Sequence, residues 1–207
     1  MPTRNPRDAE VTKTQILNAA EAEFATAGYL AARTEAIAAQ TGVTKAMIYY
    51  YFGNKEGLYR AVLERAFSHP LSAIGQPTLE AVSPIEALET FLRQFLDQMV
   101  ANPRLASLLF LESIQNQGQY YPQQTGERIY GTLQGILERG IQMGLFRPFD
   151  PGHTAINIIG TCVFYFSAHE TLQYRSSGQA MEGLNRLAQH TQEAIELILA
   201  GVRRLDG

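Results

Sequence analysis

Basic and aromatic side chains are concentrated in residues 44–55, where their chemistry suits contact with nucleic acid. The chain has only three lysines, and two of them, Lys45 and Lys55, bracket an aromatic run at residues 49–52. The third, Lys13, lies in the first predicted helix of the chain, which precedes the two short helices described next. Ammonium groups bind phosphates, whereas side chains on the outer face of a helix reach base edges. The segment therefore predicts phosphate-contact chemistry rather than packing.

Two short helices joined by a glycine turn must position these side chains. Thr34 can cap the first helix, Gly42 ends it because glycine adopts positive φ without strain, and Thr44 can cap the second. The second helix has a narrow apolar side, formed by Met47, Ile48, Tyr51 and Phe52. Such a corner also occurs in all-α proteins that bind no nucleic acid, and the corner alone leaves that alternative open. The aromatic run favours a DNA-binding helix-turn-helix, because so narrow a side cannot bury three rings in a row.

Residues 44–58, with the sequence TKAMIYYYFGNKEGL, resemble the recognition helix and following turn of the TetR (tetracycline-repressor-like) family. Residues 16–29, ILNAAEAEFATAGY, resemble the first helix of the same family. The resemblance covers about residues 10 to 65, and the rest of the chain matches only in helix count and length. It implies a homodimeric, ligand-responsive transcriptional regulator, usually a repressor, that binds a double-stranded DNA operator.

The resemblance also implies which side chains meet DNA. Lys45, Ala46, Met47, Tyr49 and Tyr51 match positions where family members contact bases or nearby backbone, and Ala46 and Met47 favour contact with a thymine methyl group. Thr34, Tyr50 and Lys55 match phosphate-contact or supporting positions, and Thr44 is the cap of the same helix. The full predicted DNA-binding set is Thr34, Thr44, Lys45, Ala46, Met47, Tyr49, Tyr50, Tyr51 and Lys55.

The charge balance limits how this protein can bind DNA. The chain of 207 residues has a net charge of −3 and 45% hydrophobic residues, enough for a substantial core. Residues 1–65 hold eight basic and seven acidic side chains, whereas residues 66–207 hold nine and thirteen. An acidic protein binds DNA poorly without sequence preference, so the affinity must come from local placement of cations.

Catalysis, metal binding and membrane insertion are not predicted. The four histidines never fall four residues apart, and a single cysteine, Cys162, excludes an internal disulfide and any multi-cysteine zinc site. No phosphate-loop or nucleophile-elbow motif is present. No signal peptide is visible, and no run reaches the roughly 18 apolar residues of a membrane span. We therefore expect a cytoplasmic protein that is not an enzyme and has no cofactor.

Helical periodicity continues to the end of the chain without strand-like alternation. Ser83-Pro84 and Asp150-Pro151 are helix starts, and Asn102-Pro103 is a stop. The sequence predicts an all-α fold of about nine helices. Residues 1–53 form the helix-turn-helix domain, and residues 54–207 form a helical effector-binding and dimerisation domain. A helix at about 125–143 contains recurring glycines, which close packing or a ligand gap could explain: Gly131, Gly135, Gly140 and Gly144.

The last two helices are predicted to form a homodimer interface. The segment 156–172 is apolar on nearly every side, and a helix of this kind must be buried on all sides. With the last helix it can form a two-fold four-helix interface of the order of 2,000 Å² or more. The predicted interface residues are Leu184, Leu187, Thr191, Ile195 and Ile198.

A pocket for a small apolar or amphipathic effector is predicted among the helices of the second domain. An apolar cavity with a few polar groups is the usual make-up of a ligand site, and Glu112 or His169 could orient a polar ligand group. The alternative, that the polar members bond within the core or the interface, stays open. So does a second function: an all-α ligand-binding or scaffold protein with a purely structural helix-turn-helix. The predicted effector residues are Phe91, Phe95, Met99, Glu112, Tyr130, Asn157, Thr161, Cys162, Tyr165 and His169.

Overall fold

The structure, a computed structural model, describes residues 6–68, 79–173 and 183–204. Within these ranges it contains nine helices, which confirms the all-α prediction. None of them is long and apolar enough to cross a membrane. They are α1 (Pro6–Ala31), α2 (Thr34–Thr41), α3 (Lys45–Phe52), α4 (Lys55–Ser68), α5 (Pro84–Ala101), α6 (Pro103–Asn116), α7 (Gln123–Gln142), α8 (Pro151–Gln173) and α9 (Gly183–Val202).

Side-chain caps fix where several helices begin. The hydroxyl of Thr44 accepts from the backbone N–H of Met47 at 3.2 Å, which satisfies one of the free amides at the start of α3. Ser83 and Glu86 form a reciprocal capping box at the start of α5, with Pro84 in its first turn. These starts are confirmed as the sequence predicted them, because a cap depends only on residues within one turn.

Glycines and one threonine define the turns around α2. The sequence predicts a first helix from about Val11 to Ala27 that Gly28 closes. The backbone of α1 does break at Gly28 (φ 71°, ψ 176°), but one more turn then carries the helix to Ala31. Gly42 ends α2 in the left-handed conformation, as predicted. The prediction that Thr34 caps α2 is wrong. Arg33 occupies the cap position without a side-chain bond, and Thr34 is the buried first residue of the helix.

The chain divides into two compact units, and their limits differ from the predicted boundary after residue 53. Unit 1 comprises residues 1–67 and 107–122, and unit 2 comprises residues 68–106 and 123–207. The helix α4 belongs to unit 1 because its apolar face is buried there. The Tyr59 ring packs edge-on against Phe24 of α1 at 4.8 Å. Arg65 of α4 also bonds Glu21 of α1 at 2.6 Å.

Unit 2 is built around α5, which packs against α7, α8 and α9. Where α7 ends, Phe146 folds back over Gly140, and its ring occupies the space that a β-carbon at Gly140 would need. Gly144 has a positive φ of 69° in the same turn. Gly131 and Gly135 meet nothing within 4 Å of an added β-carbon and border an open cavity. The recurring glycines of residues 131–144 therefore lie in three different environments, and close packing explains only Gly140.

Candidate nucleic-acid interface

One buried side chain orients the helix α3 on unit 1. Ile48 is fully buried, and α3 packs against α2. Because α3 has only eight residues, this single anchor leaves most of its surface open. Lys45 and Ala46 are exposed, as is Tyr50, which is 83% exposed. Met47, Tyr49 and Tyr51 are half-buried. Part of each of these side chains therefore packs against the protein, and the rest is open to solvent.

Lys45 is paired within the protein. Its ammonium donates to Oε1 of Glu35 at 2.6 Å, across the turn between α2 and α3. This hydrogen bond raises the pKa of Lys45 and lowers the pKa of Glu35, so both groups stay charged at neutral pH. Both side chains are near the surface, with exposures of 45% for Lys45 and 55% for Glu35.

Tyr49 is tied to the same cluster through Thr34. The hydroxyls of Tyr49 and Thr34 lie 3.3 Å apart, and Thr34 also donates to Oε2 of Glu35 at 3.4 Å. The Lys45 ammonium lies 5.5 Å from the centre of the Tyr49 ring. Four side chains from two helices thus form one connected polar group, which we call the Glu35 cluster: Thr34, Glu35, Lys45 and Tyr49. Glu35 is not among the residues predicted from the sequence, because nothing in helical periodicity links residues ten positions apart on different helices.

Lys55 has a different kind of partner. It lies at the first residue of α4, where its ammonium donates to the carbonyl oxygen of Leu30 at 3.1 Å. The same ammonium lies 5.2 Å from the centre of the Tyr29 ring. A neutral carbonyl leaves the positive charge uncompensated, and an ammonium has three donors. Two donors of Lys55 therefore stay available to a phosphate.

The predicted effector residues are spread over several environments. Phe91, Phe95 and Met99 are buried on α5, with the two rings stacked at 6.1 Å. Cys162 is buried on α8, and burial raises the pKa of its thiol to about 12, so it stays neutral. Tyr165 is half-buried and stacks on His190 at 3.4 Å, a residue that the sequence analysis did not select.

Other members of that set lie away from this core. Tyr130, Asn157 and Thr161 are exposed in the single chain. Glu112 belongs to unit 1 and not to the unit that holds the other members. The side chain of His169 lies outside the described residues. The structure thus buries the α5 rings and Cys162 within unit 2 but does not bring the whole predicted set together.

A cavity of about 280 Å³ opens on unit 2 at a different place. It shares no residue with the predicted effector set. Among the described residues, no group of three or more His, Cys, Asp or Glu side chains is placed to hold a metal ion. The cavity is lined by Leu79, Glu80, Gly131, Thr132, Gly135, Ile136 and Arg139.

The predicted dimer residues require a correction. Thr191, Ile195 and Ile198 are buried inside the single chain, where they face α5 and α8 instead of solvent. Leu187 is half-buried, and the side chain of Leu184 lies outside the described residues. The last helix has apolar residues on two sides, and periodicity did not distinguish them. The open side of these helices carries exposed apolar residues instead: Ile156, Phe164 and Leu197.

Glu112 is the centre of a buried hydrogen-bond network in unit 1. Its Oε2 accepts from the Tyr59 hydroxyl at 2.8 Å and from the Asn116 amide at 2.6 Å. Its Oε1 accepts from the backbone N–H of Tyr120 at 2.7 Å. Burial and the bond to Glu112 raise the pKa of Tyr59, so its hydroxyl stays a donor. The network joins α4 to the end of α6 and the turn that follows it.

Comparison with known proteins agrees with this architecture. Residues 16–62 match the model of bacterial regulatory proteins of the tetR family, and residues 84–198 match the tetracyclin repressor-like C-terminal domain. Over 172 residues the chain is 31% identical to the transcriptional repressor NicS of Pseudomonas putida, covering 80% of this chain and 81% of that protein. It is 26% identical to the transcriptional regulator RutR of Escherichia coli over 164 residues, or 78% and 77% of the two chains.

The solved structures show the same fold. The ketosteroid transcriptional regulator KstR2 of Mycobacterium tuberculosis superposes with a TM-score of 0.74 at 18% identity, over 98% of each chain. The two family models together span most of the sequence, from the helix-turn-helix to α9. This chain therefore belongs to the TetR family of DNA-binding transcriptional regulators, which are not enzymes.

Proposed function

We propose that this protein is a homodimeric repressor that places α3 in the major groove of its operator and is released by a small apolar or amphipathic effector. The observation that carries the proposal is the open outer face of α3, with Lys45 and Tyr50 exposed above the buried Ile48. A purely structural helix-turn-helix would not need this face, and family membership also disfavours that alternative. We propose repression and not activation because relatives such as NicS are transcriptional repressors.

Lys55 and Lys45 have different partners, a backbone carbonyl and a carboxylate, which supports different roles for them on the DNA. Lys55 would bind a phosphate, because its partner is neutral and two donors remain. Lys45 and Tyr49 lie one turn apart on α3, where a side chain reaches base edges. Ala46 and Met47 would contact thymine methyl groups. Phosphate contacts position the protein, and base contacts specify the sequence.

The experiment that tests DNA recognition is a selection of binding sites from a random duplex library by the wild-type protein. We expect enrichment of a two-fold symmetric sequence, because a dimer of helix-turn-helix domains reads two half-sites about one helical turn apart. A gel-shift titration then compares the enriched duplex with a shuffled duplex of the same composition. Equal affinity for both duplexes would contradict sequence-specific regulation.

Alanine variants of Lys55 and Lys45 should distinguish a phosphate contact, which positions the protein, from a base contact, which specifies the sequence. Lys55→Ala should weaken binding to the enriched and shuffled duplexes alike and reduce the log–log salt slope by about 1 per site. Lys45→Ala should weaken binding to the enriched duplex by about 10- to 100-fold, with much less loss on the shuffled duplex. The measurement is fluorescence anisotropy at several salt concentrations.

Lys13→Ala is the matched control, since Lys13 is the third lysine and lies on α1 of the same unit. It should leave the affinity for both duplexes, the salt slope and the melting temperature near wild type. A thermal melt of each variant excludes loss of fold. The opposite result would contradict this docking of α3. In that case Lys55→Ala would weaken binding to the enriched duplex only, and Lys45→Ala would weaken binding to both duplexes equally.

For the effector, we propose the region where α5 packs against α8, near Phe95 and Cys162. These residues supply an apolar surface with few polar groups, the usual make-up of a ligand site. A crystal structure of the protein bound to a releasing ligand tests this directly. Ligand density between α5 and α8 is expected, whereas density confined to the cavity at Gly131 and Arg139 would assign the effector to a different site.

A further inference from the structure

We propose that Glu35 is a specificity-determining positioning residue, which holds Lys45 and Tyr49 in the orientation in which α3 reads bases. The inference rests on the proposed DNA recognition and adds to it a residue outside α3 that has no expected contact with a base. It also explains why the two lysines of this segment have different partners.

Both oxygens of the Glu35 carboxylate are used in the Glu35 cluster. Oε1 accepts from the Lys45 ammonium at 2.6 Å, and Oε2 accepts from the Thr34 hydroxyl at 3.4 Å. Thr34 is 5% exposed, so its position is fixed by packing, and its hydroxyl lies 3.3 Å from that of Tyr49. One carboxylate therefore connects, directly and through Thr34, the two side chains of α3 that we expect to reach the bases.

A restraint of this kind matters most for lysine. The lysine side chain is a point charge on a flexible four-carbon stem, so an unrestrained Lys45 at the DNA surface can turn to the nearest phosphate. Such a contact would raise affinity for every sequence alike and remove the ammonium from the groove. By compensating the charge of Lys45 and fixing its direction, Glu35 disfavours this alternative.

The pair contributes little to folding, which separates its role from a structural one. Glu35 and Lys45 keep about half of their side-chain surface in solvent, with exposures of 55% and 45%. Exposed ion pairs of this type have small effects on stability, since water screens the charges and both side chains lose freedom. Loss of Glu35 should therefore leave the fold intact and appear in the DNA-binding measurements.

Two substitutions distinguish holding Lys45 from simply carrying a negative charge near DNA. Glu35→Gln removes the charge and the strong acceptor, so we expect binding to the shuffled duplex to rise about 3- to 10-fold and the salt slope to steepen by about 1 per site. Glu35→Asp keeps the charge but shortens the reach by one methylene. We expect it to raise shuffled-duplex binding less than Glu35→Gln does, because the negative charge stays, yet to lower the ratio of specific to non-specific affinity about tenfold, as Glu35→Gln does.

Glu89→Gln is the matched control. Glu89 forms a comparable exposed pair with Arg93 at 2.9 Å, but it lies in unit 2. The control removes the same charge from the protein and should leave the affinity ratio unchanged. In the Lys45→Ala background, Glu35→Asp should cause much less further loss of specificity, because the two residues act through one contact.

The outcomes separate this inference from the proposed function. A wild-type protein that enriches no sequence contradicts the proposed DNA recognition itself. A wild-type protein that enriches a sequence, together with a Glu35→Asp variant of unchanged affinity ratio, contradicts only the role of Glu35. An equal gain on both duplexes for Glu35→Gln, with no change for Glu35→Asp, would reduce Glu35 to a repulsive charge and overturn its positioning role.

Discussion

Leu197→Arg is expected to convert the protein from a dimer to a monomer. Leu197 on α9 is 67% exposed in the single chain, so arginine fits there without disturbing the fold. In a dimer formed through α8 and α9, the same position would be covered by the partner. A buried charge without a counter-ion strongly disfavours association, because its hydration is lost.

The open face of α8 supports this choice of surface. Ile156, Gly160 and Phe164 follow one another at four-residue steps, and all are exposed. An exposed row that includes two large apolar side chains favours an association site on this face of α8. Ile195 lies on the opposite, buried side of α9, so Ile195→Arg would test folding and not dimerisation.

Sedimentation velocity and operator titration together check the Leu197→Arg prediction. We expect a monomer at about 10 µM and at least about 100-fold weaker operator binding, since one molecule no longer engages two half-sites. Ile114→Arg is the control, because Ile114 is 62% exposed on α6 of unit 1. If Leu197→Arg stays dimeric, the dimer uses another surface.

Glu112→Ala is expected to lower the free energy of unfolding by about 3 kcal/mol or more. The substitution removes the acceptor of three donors: the buried Tyr59 hydroxyl, the part-buried Asn116 amide and the part-buried Tyr120 backbone N–H. An unsatisfied buried group costs about 1–3 kcal/mol, and the small alanine side chain also leaves a cavity. Urea denaturation followed by circular dichroism measures the change.

Variants of neighbouring residues make this test selective. Tyr59→Phe removes one donor and leaves the other two bonds of Glu112, so a smaller loss of about 1 kcal/mol is expected. Ser113→Ala, one residue further along α6 on its exposed side, should change stability by less than about 0.5 kcal/mol. If Glu112→Ala is as stable as the wild type, solvent or neighbouring groups replace the carboxylate as the hydrogen-bond acceptor, and the prediction is wrong.

Local features of the fold could be predicted from the sequence because they depend on a few adjacent residues. The cap of α3 at Thr44, the capping box at Ser83 and the turn glycine Gly42 all act within about one helical turn. The resemblance of residues 44–58 to the TetR recognition helix then predicted the family. Each of these features depends on residues close together in the sequence, so each can be recognised without knowledge of the tertiary structure.

Features that depend on packing between helices could not be predicted. Glu35 and Lys45 meet only because the turn folds α2 onto α3. On α9, Ile195 and Leu197 are two residues apart and equally apolar, and only the fold shows which one is buried. The sequence groups Glu112 with the effector residues, but the second half of α6 lies in unit 1.

The glycines in the middle of α7 have a consequence for its dynamics. Gly131 and Gly135 are one turn apart on the exposed side of the helix, beside the cavity of unit 2. Each lowers helix stability by roughly 1 kcal/mol relative to alanine, and neither gains a packing contact in return. Local opening requires least free energy where helix propensity and packing are both low. Backbone amides around these glycines should therefore exchange with solvent earlier than those of the buried face of α5, which makes the centre of α7 the place where this helix opens first.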